Sequence, residues 1–206
     1  MALEPAIRVE HLDALRNLDT CTVSDAIETF QVRLRNTGFA DSRIRCMFED
    51  LPPMVGYAAT ARLRSAEPPI TGSYHDRSGW WNSILNLPVP RIAVLEDLDH
   101  TPGMGAFVGE MQAAILKALG CVGYVTNGAV RELPGVRETG LHLFAGNVAV
   151  ACLCPYLRIW VGGPCGRTGS SNWRPAAWRS PWAADGSEKD CAGDSGGCGE
   201  IAGGSA

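Results

Sequence analysis

The stretch Gly103-Met-Gly-Ala-Phe-Val-Gly-Glu110-Met-Gln-Ala-Ala-Ile-Leu-Lys-Ala-Leu-Gly120-Cys-Val-Gly-Tyr-Val-Thr-Asn-Gly128-Ala-Val-Arg131-Glu132 decides how this 206-residue chain is read. A glycine-rich turn opens a helix from Gly109 to Leu119, which Gly120 can terminate. Met111, Ala114, Ile115, Ala118 and Leu119 share a face, expected to be its apolar side. Cys121 to Val125 follows as a strand, and Thr126-Asn127-Gly128 as the turn beyond it.

Working outward, the alternation of helix and strand continues. Residues 7–18 carry Ile7, Leu12, Leu15 and Leu18 at roughly helical spacing. Thr22-Val-Ser-Asp25 offers capping side chains to a short helix that Phe30 closes. Gly56 to Leu63 is strand-like, and His75 to Leu85 is expected to be helical. Arg91 to Leu95 reads as a buried strand ending at Glu96-Asp97, and Leu141 to Phe144 as another. The pattern predicts an α/β domain over residues 1–150.

The bulk properties narrow the function classes. A formal net charge of -4 argues against a nucleic-acid protein driven by bulk electrostatics. No apolar run reaches the length of a membrane span. Met1 to Leu15 is interrupted by Glu4, Arg8, Glu10 and Asp13, unlike a signal peptide. The expectation is a soluble, cytoplasmic protein whose cysteines are not disulfides. Trp80-Trp81 reads as core or subunit contact and Cys121 as small core filler. His75, His100 and His142 read as isolated surface or loop residues.

The opening stretch also carries the candidate chemistry. A helix starting at Gly109 presents free backbone N–H groups and its positive end to one space, a ready site for a carboxylate. Helix starts and strand ends share an edge in an open α/β sheet, which brings Arg131 and Glu132 to that space. Arg131 offers a fork for a carboxylate, and Glu132 a hard oxygen ligand for a divalent cation. A plainer alternative stays open from the chemistry alone. Glu110 could be an ordinary first-turn acid, and Arg131-Glu132 a solvated pair on a loop.

The spacing resembles the RraA-like family, which includes 4-hydroxy-4-methyl-2-oxoglutarate aldolases and oxaloacetate decarboxylases. Its signature is an acid, twenty intervening residues, then Arg-Asp, within a pattern like GExxAxxAxxxGxxGxVxDGxxRD. Glu110 and Arg131 have that separation, and Gly109, Ala113, Gly120, Gly123, Val125 and Gly128 fall in step. More loosely, the resemblance runs from Thr22 to Val150. It implies a swivelling-type β/β/α layered domain and a class II, magnesium- or manganese-dependent lyase acting on small 2-oxoacids. Arg131 would then hold the substrate carboxylate, with backbone N–H groups from Gly109, Glu110, Met111 and Gln112. Glu132 takes the place of the metal-binding aspartate, and Glu110 that of the acid orienting a metal-bound water. The resemblance also implies a homotrimer or hexamer. It carries a second class of function, a non-catalytic regulator that binds a ribonuclease or other protein. This sequence departs from the pattern at Glu132, one methylene longer than aspartate, and at Asn127, which replaces an aspartate.

After Val150 the character changes. Residues 151–206 hold 11 of the 24 glycines, four of the six tryptophans and five of the eight cysteines, and no structural period persists. A zinc-binding tail is one reading, but the spacing of Cys152, Cys154, Cys165, Cys191 and Cys198 does not match paired ligands. A disordered tail is a second. The third comes from the codons. Ala151-Cys-Leu-Cys-Pro-Tyr-Leu157 can be written GCA TGC CTA TGT CCA TAT CTN, which one nucleotide later reads His-Ala-Tyr-Val-His-Ile. That is the strand the family carries at this point. Trp178-Arg-Ser-Pro-Trp182 likewise becomes Gly-Asp-Leu-His-Gly, and Glu188 to Gly204 becomes KKIVQEIPEVAERLRE. The expectation is a single-nucleotide frameshift near codon 150. The tail would not be natively folded, and the chain would be an inactive remnant if made as written. The coding DNA is expected to use those codons over Ala151–Leu157. A codon there that does not permit the shifted reading contradicts the frameshift.

Overall fold

Arg91 to Asp97 is the centre around which the chain is laid out. The computed structural model describes residues 7–32, 34–35, 39–40, 42–64, 77–151 and, as backbone, 158–161. All seven residues of β3 (Arg91–Asp97) are buried. It lies between β2 (Tyr57–Arg64) and β5 (Cys121–Thr126), parallel to both. β7 (His142–Ala145) continues the parallel set beyond β5. Two antiparallel edges complete the sheet: β1 (Arg45–Cys46) on β7 and β9 (Arg158–Val161) on β2. The order is β1-β7-β5-β3-β2-β9.

A second, three-stranded parallel sheet sits beside it, with β6 (Ala129–Val130) between β4 (Ala106–Val108) and β8 (Asn147–Val148). The helices are α1 (Val9–Arg16), α2 (Thr20–Thr29), α3 (Ser78–Leu85), α4 (Glu110–Ala118) and α5 (Leu133–Glu138). Alternation along β2 and β3 sends Ala59, Ala61, Leu63, Ala93 and Leu95 to the larger core, with Trp80 and Ile84 of α3 and Leu116 of α4. Ile92, Val94 and Val125 face the other way and meet Ile44, Met54 and Phe144. The fold is therefore mixed α/β with two sheets.

Several expectations need correction. Asp19, not Thr22 to Asp25, caps α2: its carboxylate accepts the Thr22 N–H at 2.9 Å, so those four residues lie inside the helix. The buried side of α4 is Gln112, Ala113 and Leu116, while Met111, Ala114 and Ala118 face out. Apolar character alone misplaced that stripe, because alanine and methionine mark either side of a helix equally well. His142 is not on a loop but within β7, buried, and stacked on Phe144 at 4.9 Å between ring centroids. Burial lowers its pKa. Cys121 and Trp80 are in the core as expected, and burial pushes the Cys121 thiol up to about 11. The expected helix from His75 begins at Ser78, and His75 lies outside the described residues. The edge of β2 carries β9, with Ala61 opposite Val161. The five cysteines after residue 150 lie outside the described residues.

Arg91 joins three of these elements at their lower ends. Its guanidinium donates to the carbonyls of Leu85, Leu87 and Leu119, at 3.1, 2.7 and 2.6 Å. These are carbonyls at and just beyond the C-terminal ends of α3 and α4, where helices leave acceptors unmet and favour a cation. Arg91→Leu leaves those half-buried acceptors without this donor. A loss of about 2–4 kcal/mol is expected in urea unfolding, comparable to one or two charge-assisted bonds. A midpoint equal to that of the parent chain would contradict this role.

Candidate functional site

The opposite edge, where β3 and β5 end, is held by side-chain amides and carboxylates. Asn127 accepts the Asp97 N–H at 2.7 Å and donates to the Asp97 carbonyl at 2.9 Å, locking the end of β3 to the turn after β5. The Asp97 carboxylate accepts the N–H groups of Asp99 at 3.0 Å and Gly103 at 2.9 Å, which shapes the loop leading to β4. Asn147 donates to the Gly103 carbonyl at 3.1 Å, and its own N–H reaches the Gly128 carbonyl at 3.2 Å. Three connections are thus tied together, β3 to β4, β5 to β6 and β7 to β8, and β4 and β6 issue from the knot. Asn127 uses its N–H₂ as well as its oxygen, which a carboxylate cannot do.

β4 passes through Gly109, in extended conformation, into α4. Ala113 is the first residue to bond back into the helix, its N–H meeting the Gly109 carbonyl at 2.9 Å. The amides of Glu110, Met111 and Gln112 are those that an α-helix leaves without internal partners. β6 runs parallel to β4, the Arg131 N–H bonding the Val108 carbonyl at 2.9 Å, and so delivers Arg131 and Glu132 to this helix start. Glu132 adopts a left-handed backbone, φ 53° and ψ 41°, where β6 turns into α5. Its Oε2 accepts the Glu110 N–H at 2.9 Å, and its Oε1 pairs with the Arg131 guanidinium. Arg131 also donates to the Val150 carbonyl at 3.4 Å.

Of the residues singled out from sequence, Gly109, Glu110, Arg131 and Glu132 come together. A Cβ at Gly109 would fall on Glu132 Oε2, the movable tip of that side chain, and press on the Arg131 stem. The Glu110 side chain lies against Gly135 of α5, where a Cβ would likewise collide with it. Met111 and Gln112 contribute backbone only. The Met111 side chain is exposed, and that of Gln112 is buried, with Oε1 unpaired among the described residues. Asp97, Asn147 and Gly135 were not foreseen. The acid closing a buried strand was the one signal that pointed to Asp97, and nothing local distinguished the other two.

Chemically, the arrangement holds one carboxylate between a helix start and a guanidinium, and Glu110, which opens that helix, carries a second against Gly135. Among the described residues no group of three or more His, Cys, Asp or Glu side chains could hold a metal ion. Each Glu132 oxygen accepts one bond and retains capacity for another. These residues fit a hard cation such as magnesium, which takes one or two carboxylates and completes its shell with substrate oxygens and water. They do not fit a closed, all-protein cage.

A family model described as RraA-like, Aldolase/RraA, matches residues 20–154. The chain is similar in structure to an uncharacterized protein from Pseudomonas syringae pv. tomato str. DC3000, at 20% identity and a TM-score of 0.56. That alignment covers 75% of this chain and 64% of the other, so this chain spans less than two thirds of it. A structure described as novel cellulases from microbes associated with the gut ecosystem gives 16% identity and a TM-score of 0.63, covering 78% and 68%. Streptomyces coelicolor RraAS2, an unusual member of the RNase ES inhibitor RraA protein family, gives 18% and 0.55, covering 75% and 72%. At these identities the likeness is one of fold. No curated protein matches the chain.

The knot at Asp97 makes stability depend on pH. Burial raises the Asp97 pKa above its ordinary 3.8, against the lowering effect of the two N–H groups it accepts. The folded chain therefore keeps this proton to higher pH than the unfolded one. The contribution of Asp97 to stability falls as pH climbs from about 3.8 through the raised value, then levels. Asp97→Asn removes that fall. Urea midpoints measured from pH 4 to pH 7 are expected to drop less in the variant, and an identical slope would contradict the assignment.

Proposed function

Because the chain belongs to the RraA-like family, we propose that its site is that of a divalent-metal lyase releasing pyruvate from small 2-oxoacids. One observation carries this reading: the start of α4 and the Arg131 guanidinium converge on a single carboxylate, that of Glu132. A pair of donors that grips one carboxylate is suited to grip that of a 2-oxoacid. Substrates of this class are 4-hydroxy-4-methyl-2-oxoglutarate, cleaved to two pyruvates, and oxaloacetate, cleaved to pyruvate and carbon dioxide.

In this reading Arg131 and the amides of residues 110–112 hold the carboxylate and fix the orientation of the 2-oxo group. Breaking the bond between C3 and C4 leaves an electron pair that spreads from C3 onto the 2-oxo oxygen. Arg131 offsets the negative charge on that three-carbon fragment. Glu110, exposed at the head of α4, serves through water as the proton carrier. In aldol cleavage it takes the 4-hydroxyl proton as C4 becomes a carbonyl and returns a proton to C3. In decarboxylation C3 takes its proton from solvent. Glu132 would hold the cation, which when bound supplies polarisation of the 2-oxo oxygen. Aldol cleavage and decarboxylation leave the same three-carbon fragment, so one site suffices for both.

Pyruvate release, coupled to lactate dehydrogenase, tests the proposal. With magnesium or manganese, the protein carrying its tail in the shifted frame is expected to act on both substrates, and a chelator to abolish the activity. As written, the chain is expected to be inactive. Arg131→Ala should lower kcat/KM by about 10²–10³, the usual effect of removing one such donor. Arg131→Lys should recover little, because it lacks the planar fork. Release unaffected by the chelator or by Arg131→Ala would sink the proposal. No release at all would leave the non-catalytic reading, a regulator that binds another protein.

A further inference from the structure

The cradle just described is already filled, by a side chain of the protein itself. Glu132 Oε2 caps the Glu110 N–H at 2.9 Å, and Oε1 pairs with Arg131, so both donor elements serve an internal carboxylate. Three features make this arrangement possible. Gly109 has no Cβ and leaves room for Oε2. The left-handed backbone at Glu132 starts the side chain where β6 turns back toward α4. Glutamate also supplies one more methylene than aspartate, and with it extra reach.

We propose that Glu132 is a built-in competitor for this anion cradle, which the carboxylate of a 2-oxoacid must displace in order to bind. The proposal rests on the reading of the cradle as an oxoacid site. Two carboxylates cannot share the same amide and the same face of one guanidinium without strong mutual repulsion. Binding is therefore weakened by the fraction of time that the side chain is away. Displacement also frees Glu132 oxygens for a cation. Anion and cation consequently assist each other's binding, and the coupling is reciprocal. Glu132→Asp shortens the competitor while keeping its charge, and aspartate tolerates a left-handed backbone better than glutamate does.

Two measurements test this on the full chain. Glu110 is the first residue of α4, and its amide has Glu132 as its partner. Hydrogen exchange followed by ¹⁵N NMR is expected to show that amide protected in the parent chain and unprotected in Glu132→Ala. Pyruvate is then titrated with a chelator present. Glu132→Ala and Glu132→Asp are expected to bind it about tenfold more tightly than the parent, as loss of one charge-assisted bond to the competitor would give. An unprotected Glu110 amide in the parent overturns the proposal. Equal or weaker pyruvate binding in both variants, or none in any chain, also overturns it. The failures are distinguishable: pyruvate release with an unprotected Glu110 amide removes the competitor alone. A protected amide without metal-dependent release removes the lyase reading alone, provided the variants still bind pyruvate more tightly.

Discussion

Unmet N–H groups at the start of α4 set the terms for everything around them. A helix start turned inward toward other elements needs an acceptor, and the best acceptor is an anion. This chain meets the need with Glu132, balanced by Arg131, and accommodates both by having no side chain at Gly109. The same physics makes the place attractive to a carboxylate from outside. Structure and proposed function therefore draw on one set of donors, and the occupant decides which is served.

Such a site works only if its parts are held in register, and the two ends of the central sheet contribute differently. At one end Arg91 gathers carbonyls from the close of α3 and α4, anchoring the helices where their dipoles favour a cation. At the other, Asp97, Asn127, Gly103 and Asn147 tie the loops from which β4, β6 and β8 emerge. Apart from the exposed Asn147, the side chains of both devices are buried or half-buried and well paired, the condition under which such groups make an arrangement specific. The short strands β4 and β6 then carry Gly109 and Arg131 to the same point without further freedom.

Much of this was legible in the sequence, for identifiable reasons. The Gly109–Glu132 stretch keeps a fixed spacing because a helix, a tight glycine turn and a strand must return the chain to the edge it left. That is why Glu110 and Arg131 could be paired before any coordinates. β4, β6 and β8 have two or three residues each, too short for a period of two to register. The inner face of α4 was misjudged because Gln112 is buried and Met111 exposed, the reverse of their polarity. That Glu132 folds back on the helix could not be read from spacing, since it depends on a left-handed backbone at one residue. Beyond Val150 no structural period persists for the sequence to be read by. The family match also ends close by, at Cys154.

We propose Arg131 and the first turn of α4 as the seat of a 2-oxoacid carboxylate. A crystal structure with pyruvate and manganese tests it most directly. The account predicts the pyruvate carboxylate on Arg131 and the amides of residues 110–112, with Glu132 turned away from the Glu110 N–H. Pyruvate bound elsewhere, with Glu132 still seated on that amide, would contradict it.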